Sequence, residues 1–128
     1  MRGRIRFTYD TEEDVVIATP EWTIETEEDC EVWRQQWVDY LEPYGRKMDC
    51  VMVLDDFHVA ADVASFWGKL RAEINRKYLR HSFRVHAEMR VRTFALTSGI
   101  RFDAATAEAV SVEAAIEGIR DARRRAGL

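Results

Sequence analysis

No run of apolar residues in this sequence approaches the roughly 20 needed to cross a bilayer. The opening MRGRIRF has none of the apolar stretch of a signal peptide. A cytoplasmic protein without a membrane partner is therefore the expectation. Cysteine is scarce: Cys30 and Cys50 are the only two. Each falls in a stretch expected to be buried, where a thiol behaves as a small hydrophobe, so neither a disulfide nor a cysteine metal site is expected. The glycine-built motifs are missing as well. There is no P-loop, no G-x-G-x-x-G and no G-x-S-x-G elbow, and the six glycines are scattered at element ends. His58, His81 and His86 lack both the i, i+4 spacing and the cysteine partners of a zinc site, and are assigned to loop and surface positions. Nucleophilic catalysis, nucleotide binding and cofactors have no support here. The chain is expected not to be an enzyme.

Of the 128 residues present, 47% are hydrophobic and 33% charged, a globular balance far from that of disordered chains. There are no repeats, linkers or low-complexity segments. A single domain over residues 1–128 is expected, large enough to bury roughly two-thirds of its unfolded surface. The net charge of −4 hides a division along the chain. Residues 1–62 hold 16 acids and 6 bases, a net −10, and residues 63–128 hold 7 acids and 13 bases, a net +6. Ten of the acids lie between Asp10 and Glu31, and Arg120 with Arg123, Arg124 and Arg125 closes the chain. Either the fold sets these regions on different faces, giving a field that steers an oppositely charged partner or a second copy, or the charges compensate across the fold. Four arginines on one terminal helix fall short of the basic face that nucleic acid requires.

Hydrophobic periodicity outlines the elements. Arg4–Tyr9 alternates as a half-buried strand, Asp10–Asp14 is a polar turn, and Val15–Ala18 completes a hairpin that Pro20 ends. Thr26-Glu27-Glu28-Asp29 has the form of a capping box. The stripe Cys30, Trp33, Trp37, Tyr40, Leu41 and Tyr44 then gives a helix that Pro43 and Gly45 stop. Cys50–Leu54 is continuously apolar, as befits a central strand covered on both faces. A second helix from about Ala61 to Leu79 carries Val63, Phe66, Trp67, Leu70, Ile74 and Tyr78, with Asp62 as its cap. Ser82–Ala87 alternates again, with Phe83, Val85 and Ala87 inward and Arg84 and His86 outward, which makes a parallel strand-helix-strand unit. Arg90–Thr97 is expected to be a short helix capped by Gly99, Ala104–Val110 a short strand, and Ser111 the cap of a last helix that buries Val112, Ala115, Ile116 and Ile119.

The best chemical constellation is Asp55, Asp56 and His58, since carboxylates at the carboxyl end of a central parallel strand stand where α/β domains place ligands. An acidic pair there holds Mg²⁺ in receiver domains. A receiver, however, sets that pair after its first strand and needs a lysine after a late one, whereas the final lysine here is Lys77, within the second helix. Asp55 and Asp56 are expected to cap loops or start a turn.

Two segments, CVMVLDD with its long following helix and the tail VRTFALTSGIRFDAATAEAVSVEAAIEGI, together with the order of elements, resemble a STAS-like domain, the fold of anti-sigma-factor antagonists and related modules in bacterial regulators. The resemblance implies an α/β fold with a four- or five-stranded mixed sheet and about four helices. It also implies a non-catalytic interaction or regulatory module of a bacterial signalling or assembly system. In the phospho-switch members a serine at the start of the helix after the central strand is phosphorylated, and the added charge expels the partner. Here Asp62 matches the acidic residue of that motif, but Val63 and Ala64 stand where the hydroxyl belongs and only Ser65 is near. Partner binding is expected to be constitutive or controlled by other means.

The partner surface implied is Asp56, Phe57, His58, Val59, Asp62 and Ser65. Phe57 either anchors the interface or tucks under the helix. Two rival functions stand beside this one. One is a carrier of a small apolar ligand between Trp22, Trp33, Trp37 and Trp67. The other is self-assembly of acidic face on basic face into a homo-oligomer.

Overall fold

The computed structural model describes residues 3–85 and 107–127. Among the described residues, six strands and three α-helices follow in the order β1 (Arg4–Asp10), β2 (Val15–Ile24), α1 (Glu27–Leu41), β3 (Met48–Val53), β4 (Phe57–Val59), α2 (Ala64–Tyr78), β5 (Leu79–Val85), β6 (Ala107–Ala109) and α3 (Val112–Arg125). Short 3-10 turns at Glu42–Tyr44 and Ala61–Val63 close α1 and lead into α2. The sheet runs β1-β2-β3-β5-β6, and β4 pairs with β2 beyond the end of β3. β1 is antiparallel to β2, and every other pairing is parallel. The expected helix over Arg90–Thr97, its Gly99 cap, and the inward and outward positions of Ala87 and His86 lie outside the described residues.

The sheet is covered on both sides, which explains why β3 is apolar without alternation. On one face Met48, Cys50 and Met52 join α1 and α2 in a core that also holds Val16, Ala18, Trp33, Trp37 and Trp67. On the other, Val51 with Val15 and Val85 meets Ala115 and Ile119 of α3. α1 begins as its sequence demands: the Thr26 hydroxyl accepts from the Asp29 amide at 3.0 Å while the Asp29 carboxylate accepts from the Thr26 amide at 3.1 Å, a reciprocal box. It ends in a 3-10 turn with Gly45 at φ 66°, the left-handed conformation that favours glycine. α3 is capped by Ser111, whose hydroxyl accepts from the Ala114 amide. A Cβ at Gly118 in α3 would come within 2.6 Å of the Phe83 ring, so this helix seats on β5 through a residue that otherwise weakens helices.

Three departures from the sequence pattern have physical causes. Pro20 does not end β2, which continues to Ile24. β3 pairs with β2 only as far as Ala18 and β4 only from Trp22, so the missing N–H of Pro20 faces the gap between two ladders, where no strand bond is forgone. Its partner in β1, Ile5, turns its amide outward to donate to Gln36 Oε1 at 2.8 Å, and Gln36 Nε2 donates to the Gly3 carbonyl. A side chain of α1 thereby closes the exposed edge of β1. Asp62 does not cap α2: it sits in the 3-10 turn, and α2 starts after Val63 with no side-chain cap. Arg84 is not outward-facing solvent polarity but 2% exposed, because β5 is covered on both sides.

Candidate functional site

The carboxyl ends of the parallel strands form one rim of the domain. β3 stops at Val53, Leu54 donates its amide to the Val85 carbonyl at 3.0 Å, and a turn over Asp55–Asp56 returns the chain so that the Phe57 amide reaches the Leu54 carbonyl. The chain then resumes beside β2 as β4, with Phe57 opposite Trp22 and His58 opposite Thr23. Apolar and polar residues alternate across this short strand as the pleat requires. Phe57 is 6% exposed and stacks near Trp67, centroids 5.6 Å apart, so it tucks beneath α2 and is not a surface anchor. Asp55, Asp56, His58, Asp62 and Ser65 are exposed, and Val59 is half-buried. Of the six residues expected to form a partner surface, the structure therefore places Asp56, His58, Asp62 and Ser65 on the exterior and draws Phe57 into the core. Among the described residues no three of His, Cys, Asp or Glu gather closely enough to hold a metal ion.

The same rim carries the start of α1. The Ala60 amide donates to the Ile24 carbonyl at 2.8 Å, which sets the loop before α2 beside Glu25 and Thr26. Glu25, Glu27 and Glu28 are exposed there, next to Asp55, Asp56 and Asp62. β1 runs antiparallel to β2, so its start also reaches this end, where Arg4 lies opposite Glu21 and Arg6 pairs with the Glu21 carboxylate. The strands succeed one another monotonically across the sheet from β2 to β6. Reversal of strand order is what opens the ligand crevice of doubly wound folds, and this order contains none.

The opposite end, at the amino ends of the parallel strands, was not foreseen. Asp49, expected only to bound the central strand, lies inside β3 with its side chain fully buried. Between Met48↔Leu79 and Cys50↔Ser82 the pairing slips, so two residues of β5 oppose one of β3. Those two are Arg80 and His81, and both turn to the carboxylate. Arg80 donates from Nε and Nη2 at 3.0 and 2.7 Å. His81 approaches with its backbone amide and with Nδ1, each at 3.1 Å. Arg123 of α3 adds a bond from Nε at 2.7 Å and donates its remaining nitrogens to the Glu13 and Asp14 carbonyls at 2.7 and 2.8 Å. Burial alone would raise the Asp49 pKa, but the bonds from Arg80 and Arg123 outweigh it and hold the carboxyl down at about 2. His81 is thus a half-buried member of an ion cluster and not a surface histidine.

Around this cluster the hairpin turn is pinned. Asp14 has φ 56°, a left-handed conformation that aspartate tolerates better than most residues. Its carboxylate accepts from Tyr9 Oη at 2.6 Å and from Arg46 at 2.8 Å, and the Arg46 bond lowers its pKa. Arg120 pairs with Glu13. Both Asp49 oxygens and all three Arg123 nitrogens are engaged within the fold, so this end is a structural clamp.

The four tryptophans expected to line a ligand pocket are 1–6% exposed, and Trp33 lies edge-on to Trp37 and Trp67 with centroids 6.0 and 5.6 Å apart. Cys30 and Cys50 are free and buried. Among the described residues no helix is long and apolar enough to cross a membrane. Comparison with protein-family models and with curated proteins finds no match to this sequence.

Proposed function

We propose that the protein is a non-catalytic interaction module, STAS-like in kind and serving a bacterial signalling or assembly system, whose docking surface is the acidic rim at the carboxyl ends of its strands. The observation that carries this reading is the exposure of Asp55, Asp56 and Asp62 on the rim that also carries the exposed Glu25, Glu27 and Glu28. Such a rim raises the association rate of a basic protein partner and repels acidic ones. The STAS likeness is supported by the order of elements: hairpin, helix, central strand, long helix and strand, and later a short strand with a Ser111-capped helix. Ser65, exposed in the first turn of α2, is the hydroxyl nearest the phospho-switch position, and the chain at Val63 and Ala64 departs from that motif. Binding is therefore read as constitutive.

The test is affinity capture from the native host with the wild-type chain and with a D55K/D56K/D62K variant of unchanged melting temperature. A stoichiometric partner that elutes with salt and is lost by the variant supports the reading. Equal capture by both proteins sinks it, and so does capture of no salt-sensitive partner by the wild type.

A further inference from the structure

The three described helices are held in different ways. α1 buries Cys30, Trp33, Trp37 and Leu41, and α2 buries Trp67 and Ile74 with Gly68 and Arg71. α3 buries only Ala115 and Ile119. Half-buried Val112 and Ile116 pack beside them and Gly118 lies against Phe83; the remaining ties are polar and reach far along the chain: Arg123 to Asp49, Glu13 and Asp14, and Arg120 to Glu13. We propose that α3 is a latched cover, fastened to the sheet chiefly by the Arg123 clamp and the Arg120–Glu13 pair, and that it opens as a unit before the rest of the domain unfolds. Opening swings it about the junction with β6 at Val110, a residue 77% exposed, and uncovers the apolar strip of Val15, Ile17, Val51, Val53, Phe83 and Val85.

The two fastenings differ in their response to salt. The side chains of Arg120 and Glu13 are 45% and 24% exposed, so their attraction is screened as ions are added. The Asp49 side chain is fully buried and the Arg123 side chain 20% exposed, so that bond is screened far less. α1 and α2 share an ion pair too, Arg34–Glu73 at 3.2 Å, but their tryptophan burial is not screened by salt, so they respond less. Cooperative openings of part of a fold are read directly by native-state hydrogen exchange.

The experiment is amide exchange on the full chain in 0.05 M and 1 M NaCl, for the wild type and for Arg123→Gln. In the wild type, amides of Ala115–Arg125 are expected to exchange through an opening that leaves Cys50–Met52 and Trp33–Leu41 protected, and to exchange several-fold faster at the higher salt. In the variant they are expected to exchange at least tenfold faster at either salt, equivalent to about 1.4 kcal/mol of opening free energy, while α1 and β3 change by less than a third of that factor. Should Arg123→Gln fail to fold, the wild-type pair of measurements decides alone. The proposal is overturned if α3 exchanges only together with β3, if its exchange is indifferent to salt in the wild type, or if the variant accelerates α1, β3 and α3 alike.

Discussion

Replacing Asp49 by asparagine keeps the size of the buried side chain and removes its charge. Arg80 and Arg123 then face a neutral amide that supplies one acceptor oxygen where the carboxylate supplied two, each already engaged at least twice. Removing one member of a buried ion cluster costs about 3–5 kcal/mol, because the charges left behind stay desolvated. The sharper signature is the pH dependence of that cost. The folded-state pKa of Asp49 is about 2 against 3.8 for an ordinary aspartate. A depressed pKa contributes stability that is fully present above the unfolded value and lost as pH falls through the folded one. At 1.36 kcal/mol per unit, the contribution is about 2–3 kcal/mol at pH 7, with roughly half of it gone at pH 3.

The assay is urea unfolding of wild type and Asp49→Asn at pH 7, 5, 4 and 3. Every other carboxylate titrates in both proteins, so the difference between them isolates position 49. The stability gap should be constant from pH 7 to 5 and then narrow by about 1 kcal/mol by pH 3. With a slope of about 1–3 kcal/mol per molar urea for a domain of this size, the two midpoints draw closer by about 0.3–1 M. A gap that stays fixed or widens on acidification would refute the assignment of Asp49 as the charged centre of the clamp. So would a variant as stable as the wild type at pH 7.

Two further outcomes follow from burial. Phe57→Ala should cost about 3–5 kcal/mol as a core truncation, lowering the melting temperature by well over 5 °C while leaving any salt-sensitive partner captured by the folded protein unchanged; thermal melts and capture together distinguish this from an interface role. Cys30, whose thiol pKa burial pushes up to about 11, and Cys50, also pushed up by burial, should both be inert to a thiol-specific chromogenic disulfide at pH 8 in the folded state and titrate two thiols per chain in denaturant; a fast-reacting thiol in the native protein would contradict the placement of one of them.

Much of the architecture is legible in the residues because single-residue rules act locally. The Thr26 box, the Ser111 cap and the Gly45 stop each need only a few neighbours, and the stripe of α1 needs only its own period. The continuous apolar run at β3 reveals a strand buried on both faces for a similar reason. What fails is whatever depends on a partner distant in the chain. Pro20 reads as a terminator until it is known that no strand lies beside it. Arg84 reads as outward until the second covering layer is known. Asp49 carried a signal, a carboxylate between Met48 and Cys50 at the head of a buried strand, and a buried carboxylate demands cations. Nothing near it in sequence names Arg123, which is 74 positions away, and the slip that turns both Arg80 and His81 to one carboxylate has no local mark. At the rim, the loop residues are legible as a surface, but the burial of Phe57 follows from β4, a three-residue strand that exists only because β2 outlasts β3.

The division of charge along the sequence acquires a different meaning once folded. Acids of the first half and bases of the second were expected either to part into two faces or to cancel, and at the amino ends of the strands they cancel. Glu13, Asp14 and Asp49 are met by Arg46, Arg80, Arg120 and Arg123 at the amino ends of the strands, where the pairing fastens hairpin, central strand and last helix together. Glu25, Glu27 and Glu28 belong to the same acidic half, yet they stand at the other end beside Asp55, Asp56 and Asp62, a strand's length from that cluster of arginines. A β-strand of six residues spans about 20 Å, about twice the screening length at physiological salt, so the compensated end cannot neutralise the rim. Reversing three charges at the rim should consequently abolish steering without touching the clamp, and breaking the clamp should loosen α3 without altering the field at the rim. The two ends are separable by mutation because the fold spaces them farther apart than ions in solution allow them to interact.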